Sequence, residues 1–204
     1  MDELGMRRES PSARTEIRPA KLAHFVLRTS RFAEAIEWYR TLLAAEIVFR
    51  NDFICFLTYD DEHHRLALIK VQESAPEPSR EKPGVDHISF AYRELGELLA
   101  TYRRLAAAGI KPVRTINHGP TISFYYADPD GLRIELQVDN FATLEELHAY
   151  FRGPEFAENP IGVLVDPEKL IRDWEDGVPL AVLHRRPPLP AGVSPWDMRG
   201  ENRR

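Results

Sequence analysis

The segment from Asn117 to Gln137, NHGPTISFYYADPDGLRIELQ, sets a histidine, a tyrosine and a glutamate in a hairpin otherwise built from apolar residues. Asp128, Pro129, Asp130 and Gly131 supply its turn, with Pro at the second position and Gly last. Loop length decides which residues share a face, because side chains alternate along a strand. A two-residue loop sets Tyr125 on the face of Ile134, whereas a three-residue loop with Gly131 in the left-handed region sets it opposite Glu135. The second register groups like with like. Ser123, Tyr125, Arg133, Glu135 and Gln137 then share a polar face, and Phe124, Tyr126, Ile134 and Leu136 an apolar one. A polar face inside a curved sheet calls for an occupant.

The elements that must position these residues occur twice. HFVLRTSRFAEAIEWYRTLLAAEI from His24 lies over HISFAYRELGELLATYRRLAAAGI from His87 without a gap, with Tyr39 on Tyr102, Arg40 on Arg103 and Leu42 on Leu105. In the first copy KLAHFVLRT alternates as a strand, with Ala23, Phe25 and Leu27 on one face and His24 on the other. A helix follows, with Ser30 as its N-cap and Phe32, Ile36, Tyr39 and Leu43 at helical spacing. The strands DFICFLTYD and HHRLALIKV complete this copy, and ISFYYADPDGLRIELQV completes the second. The expected architecture is α+β: two tandem βαβββ modules, over 19–74 and 84–140, forming one curved mixed sheet with a metal-binding cleft. Residues 1–18 read as a flexible arm and the proline-rich 75–83 as a linker. Residues 141–204 read as a helix from a Thr143 cap to Gly153 at C′, then an extended tail that wraps the surface or reaches a neighbouring subunit. A homo-oligomer is the expected assembly.

Duplication also selects the residues for chemistry. RLALIKV from Arg65 aligns with RIELQVD from Arg133, so Glu135 corresponds to Ala67. The fold thus supplies a histidine twice, His24 and His87, but a carboxylate once. Two imidazoles and one carboxylate with open positions form the facial set of mononuclear non-haem Fe(II) sites. Such donors suit Fe(II) or Mn(II), and the absence of clustered cysteines argues against a thiolate zinc or iron–sulfur site. Cys55, the single cysteine, reads as a buried strand residue, and His148 and His184 lie outside the motifs.

Composition narrows the partners. A 204-residue chain with 43% hydrophobic and 29% charged residues is ordinary for a soluble globular protein. Its net charge of -5, with no basic stripe, argues against nucleic acid, since neutralising phosphates takes clustered Lys and Arg. No stretch approaches the roughly 20 apolar residues of a membrane span, and the N-terminus has no apolar signal region, so the expected location is cytoplasmic.

INHGPTISFYYADPDGLRIE resembles the sequence pattern of type I extradiol ring-cleaving dioxygenases of the vicinal oxygen chelate (glyoxalase/bleomycin resistance/dioxygenase) superfamily. The matching positions are His118, Phe124, Tyr125, the DPDG turn and Glu135, and the resemblance covers about residues 20 to 140. It implies iron ligands at His24, His87 and Glu135, and catalytic residues at His118, Tyr125 and His64, the second histidine of DEHHRLAL. Many relatives carry two such barrels in tandem; with two repeat units this chain looks like the one-domain form, nearest to the 2,3-dihydroxybiphenyl 1,2-dioxygenases. The implied activity is Fe(II)-dependent extradiol cleavage of a catechol such as 2,3-dihydroxybiphenyl, with both atoms of O2 entering the product, in aromatic compound catabolism. Neutral imidazole is suited to take a catechol proton near pH 7, the role implied for His64, while Tyr125 and His118 would donate hydrogen bonds to oxygens that gain negative charge. Phe56, Phe90, Phe124 and Tyr126 are candidates to pack the ring. The rival expectations within the superfamily are a metal-dependent isomerase or lyase, which Ala67 disfavours, and a non-catalytic small-molecule-binding protein.

Overall fold

The computed structural model describes residues 18–72 and 83–200. Most of the expected arm and nearly all of the expected linker lie outside the described residues. The first module runs β1 (Phe25–Thr29), α1 (Phe32–Leu43), β2 (Glu46–Arg50), β3 (Ile54–Thr58) and β4 (Leu66–Lys70). The second repeats it as β5 (His87–Tyr92), α2 (Leu95–Ala107), β6 (Arg114–Asn117), β7 (Thr121–Ala127) and β8 (Arg133–Asp139).

The mixed α+β class and the paired modules stand, but the strands hydrogen-bond as two sheets rather than one. Their orders are β1-β4-β3-β2 and β5-β8-β7-β6-β9, the last strand coming from the tail (Val163–Leu164). In each module the first strand runs parallel to the last, because the helix carries the chain back over the sheet. Across the seam between sheets the contact is by side chains, with the Phe25 and Phe90 rings 5.9 Å apart.

One core joins the modules. Ile36, Tyr39 and Leu42 of α1 and Leu68 of β4 bury with Leu98 and Leu105 of α2 and Phe124, Ile134 and Leu136 of the hairpin. Polar ties reinforce it: the Tyr39 hydroxyl donates to Asp128 Oδ2 at 2.8 Å and Arg31 to the Pro129 carbonyl at 2.6 Å. Arg104 of α2 donates to the Thr41 and Leu42 carbonyls, which the end of α1 leaves without helical partners. Ser30 does not cap α1. Arg31 occupies that position without a side-chain cap, while Ser30 Oγ turns to Asp130 Oδ1 at 3.4 Å.

The tail is more ordered than its prolines imply. Thr143 and Glu146 form a capping box on α3 (Leu144–Phe151). Gly153, with φ of -80°, is not a left-handed C′ residue but the N-cap of α4 (Pro154–Glu158). After β9 come α5 (Pro167–Glu175), α6 (Leu180–Leu183) and a 3-10 turn at Pro195–Arg199. β9 pairs antiparallel with β6, Ile116 opposite Leu164, so the tail covers that sheet edge. At the equivalent edge of the first sheet, β2 pairs with β3 on one side and with no strand on the other among the described residues, and it is exposed throughout.

Candidate functional site

The hairpin closes as the three-residue loop requires. Asp128 N–H donates to Leu132 O at 2.9 Å, Gly131 has φ of 87°, and Tyr125 stands opposite Glu135. The left-handed region is open to glycine without a Cβ clash, which is why Gly131 can end this turn. Phe124 and Tyr126 face the core, fully buried, and Phe90 packs partly against it, so these three do not line a ring pocket.

Register then sets two equivalent rows across the two sheets, on faces turned away from the core. In the second sheet Ser89, Glu135, Tyr125 and Arg114 lie side by side on β5, β8, β7 and β6. In the first, the same four places hold Val26, Ala67, Phe56 and Phe49. The duplication has diverged into one polar row and one apolar row. Val26 and Phe49 are about half exposed, an unusual setting for large apolar side chains unless something covers them.

Glu135 is the centre of the polar row. The Tyr125 hydroxyl donates to its Oε1 at 2.7 Å, and His87 Nε2 stands 3.2 Å from its Oε2. Burial alone would raise this carboxyl, but hydrogen bonds from His87, Ser123, Tyr125 and Ser89 outweigh burial and hold it at about 2. His87 is pushed up to about 9, chiefly by its bond to Glu135 and against the effect of burial, with Asp86 adding to the rise. Asp86 Oδ2 lies 2.7 Å from His87 Nδ1 and fixes the proton there. His87 therefore carries its second proton at Nε2 and donates it toward Glu135 Oε2; with that proton gone, Nε2 and Oε2 are two lone-pair donors facing one place, open to a metal cation. Burial raises the Tyr125 phenol, and the Glu135 charge adds to that.

His118 extends the row. Its Nε2 is 2.9 Å from the Tyr125 oxygen, and its Nδ1 meets the Ile161 carbonyl of the tail. A carbonyl only accepts, so Nδ1 carries the proton and Nε2 of the neutral ring is an acceptor. Burial pushes the imidazolium form of His118 down. The neutral ring therefore presents an acceptor at Nε2, which competes with Glu135 Oε1 for the single Tyr125 proton.

A second group gathers on the first module. The His24 and His64 rings are 4.3 Å apart, and Phe56 stacks on His64 at 4.6 Å with planes 13° apart. His63 is 6.2 Å from His24, largely exposed and beside Glu62, so His64 is the member of the pair that faces the apolar row. Burial and the neighbouring His24 lower the imidazolium form of His64, favouring a neutral base. Of the three expected ligands, His87 and Glu135 meet; His24 stands with His64 instead. Among the described residues no three His, Cys, Asp or Glu come close enough to hold one ion, and no hydrogen bond or ring contact joins the two groups. Exposed His24, on the turn of chain before β1, is the ligand candidate whose side chain would have to swing.

Arg114 was not among the residues singled out from sequence. Its guanidinium lies 5.5 Å above the Tyr125 ring in a residue only 7% exposed, and Nε and one terminal nitrogen have no hydrogen-bond partner among the described residues. Asp86 was not singled out either. The signal for Arg114 was its spacing: on a strand leading to His118, residues 114, 116 and 118 share a face.

Comparison with known proteins shows the family. The sequence profile of the Glyoxalase/Bleomycin resistance protein/Dioxygenase superfamily matches residues 21–136. The chain belongs to that superfamily. Two curated members from Rhodococcus globerulus are similar over most of their length. Biphenyl-2,3-diol 1,2-dioxygenase 2 is 42% identical over 160 residues, 78% of this chain and 84% of the relative. Biphenyl-2,3-diol 1,2-dioxygenase 3 is 41% identical over 167 residues, 81% of this chain and 88% of the relative. Among solved structures of the superfamily, a glyoxylase/bleomycin resistance protein/dioxygenase domain from Frankia sp. EAN1pec superposes with a TM-score of 0.52 at 19% identity, over 62% of this chain and 96% of that one, a likeness of fold.

Proposed function

We propose that this chain is an extradiol ring-cleaving dioxygenase that opens a catechol such as 2,3-dihydroxybiphenyl, with Fe(II) held by His87, Glu135 and His24. The observation that carries the proposal is the facing pair of His87 Nε2 and Glu135 Oε2 at 3.2 Å, in a chain 42% identical to a biphenyl-diol dioxygenase. The donor set fits Fe(II) or Mn(II), being imidazole and carboxylate with no thiolate. A bound Fe(II) supplies the path by which electron density passes from catecholate to O2.

The chain's own residues do the rest. Val26, Phe56 and Phe49 offer an apolar surface for the aromatic ring, and His64, stacked on Phe56, is a neutral base for a catechol proton. Tyr125 holds one proton between two acceptors, Glu135 Oε1 and His118 Nε2, and can present it toward either side. The unpartnered guanidinium N–H groups of Arg114 favour negative charge on oxygens close to Tyr125. Ala67 at the place equivalent to Glu135 leaves no second carboxylate base, which separates this site from an isomerase built on the same fold.

The test is oxygen uptake with visible absorbance, using anaerobically purified, Fe(II)-loaded protein and 2,3-dihydroxybiphenyl, then simpler catechols. One O2 consumed per catechol with a yellow product supports the proposal. Bound iron without uptake across the panel overturns the dioxygenase assignment, and absence of bound metal overturns the metal centre.

A further inference from the structure

The tail, read from sequence as an extended segment on the surface, supplies the atom that orients His118. Three contacts hold that histidine. Its N–H donates to the Thr121 carbonyl at 2.9 Å, its carbonyl accepts from Arg186 at 3.2 Å, and its Nδ1 faces the Ile161 carbonyl. The last two come from the tail, about 40 and 70 residues along the chain.

The turn that presents Ile161 is built for close approach. Asn159, 4% exposed, accepts from the N–H groups of Ile161 and Gly162 at 3.1 and 2.8 Å and donates to the Gly162 carbonyl at 3.0 Å. Gly162 has φ of 112°, and a Cβ there would lie 2.5 Å from the Asn117 carbonyl oxygen and 2.8 Å from His118 Cα. Only glycine lets this turn press against the His118 backbone. Arg186 locks the arrangement, since its guanidinium also donates to the Asn159 carbonyl at 2.5 Å and the Glu155 carbonyl at 2.7 Å. One side chain thus ties His118, just past β6, to α4 and the turn after it.

We infer that the Asn159–Gly162 turn and Arg186 form a positioning device that sets the tautomer of His118, through the Ile161 carbonyl, so that Nε2 faces Tyr125 as a proton acceptor. The consequence for catalysis rests on the dioxygenase proposal; the tautomer does not. Without the Ile161 carbonyl the ring can carry its proton on either nitrogen, and the Nε2–H form cannot accept from Tyr125.

The full-length protein can be tested without metal or substrate by 15N NMR of the histidine rings, with His118→Gln to assign the signal. The wild type is expected to show His118 protonated at Nδ1, while Gly162→Ala and Arg186→Met show a mixture and Arg186→Lys restores part of the Nδ1–H form. Melting curves and the remaining backbone signals identify variants that have stayed folded. In folded, iron-loaded Arg186→Met, kcat is expected to fall about tenfold, with KM and iron content within about twofold. A wild-type ring protonated at Nε2, or an unchanged tautomer in both folded variants, overturns the inference. A changed tautomer with unchanged kcat overturns its catalytic half. Wild type inactive on every catechol, with the expected tautomer shift, overturns the dioxygenase proposal and leaves the positioning device standing.

Discussion

At Glu135 one carboxylate collects hydrogen bonds from four side chains, so removing it empties the polar row in a single step. Glu135→Ala is expected to lose bound iron and lower kcat by more than about 100-fold, since even the supporting partners of metal ligands cost 10- to 100-fold when replaced. Tyr125→Phe takes away one hydroxyl and no ligand. It should keep its iron and slow kcat by roughly 100-fold, the cost of one hydrogen-bond donor to developing charge. Iron per protomer and oxygen uptake measured on the same samples separate the two effects; full iron and full rate in Glu135→Ala would refute the ligand assignment. On the apolar row, Phe56→Ala removes the ring stacked on His64 and should raise KM about tenfold while leaving bound iron unchanged, because ring contacts of this kind are worth about 1 kcal/mol. Glu135 and Tyr125 were legible from hairpin register and His87 from the repeat, whereas His118 entered only through the resemblance to a known pattern. Arg114 was not legible, since a single arginine on a four-residue strand resembles any exposed one until the opposite strand shows what lies beside it.

The hairpin that carries Tyr125 and Glu135 is held by an element of the other module. Asp128 Oδ1 accepts from the N–H groups of Asp130 and Leu132 at 2.9 and 2.8 Å, shaping the turn, while its Oδ2 takes the hydroxyl of Tyr39 on α1. Tyr39 is fully buried, so Tyr39→Phe leaves a buried carboxylate oxygen short of a partner, at about 1–3 kcal/mol. Urea unfolding should show that loss as a lower midpoint with an unchanged slope, and an unchanged midpoint would mean the bond contributes nothing net. The helices and hairpin were legible because their periods and turn residues are local signals. Ties between elements were not: Tyr39 aligns with Tyr102, yet Tyr102 donates to Glu168 of the tail, and no pattern within the repeat distinguishes the two. The tail was misread for the same reason. Its proline content hides a two-residue strand and a turn whose purpose depends on what they touch.

Over the whole molecule, the modules share one core, so its buried phenols report on the stability of both together. Tyr39 and Tyr126 are both fully buried, and burial first of all raises each phenol above its ordinary value of 10.0. As pH rises past 10 the unfolded chain releases these two protons while the folded chain keeps them. The folded state then binds more protons, and stability present in full below pH 10 is lost, at up to about 1.4 kcal/mol per pH unit for each phenol. The two differ in what the hydroxyl does. Tyr39 donates to Asp128, whereas the Tyr126 oxygen is buried with no partner among the described residues, a group that costs free energy wherever it is left unbonded. Tyr126→Phe should therefore raise the melting temperature near neutral pH, or leave it unchanged, and should flatten the fall between pH 10 and 11.5. Tyr39→Phe should flatten the same fall from a lower starting point. Melting curves on the three proteins from pH 8 to 11.5 check both statements. A Tyr126→Phe protein that melts several degrees lower at pH 8 would show that its hydroxyl has a partner after all, such as a buried water bridging it to the core.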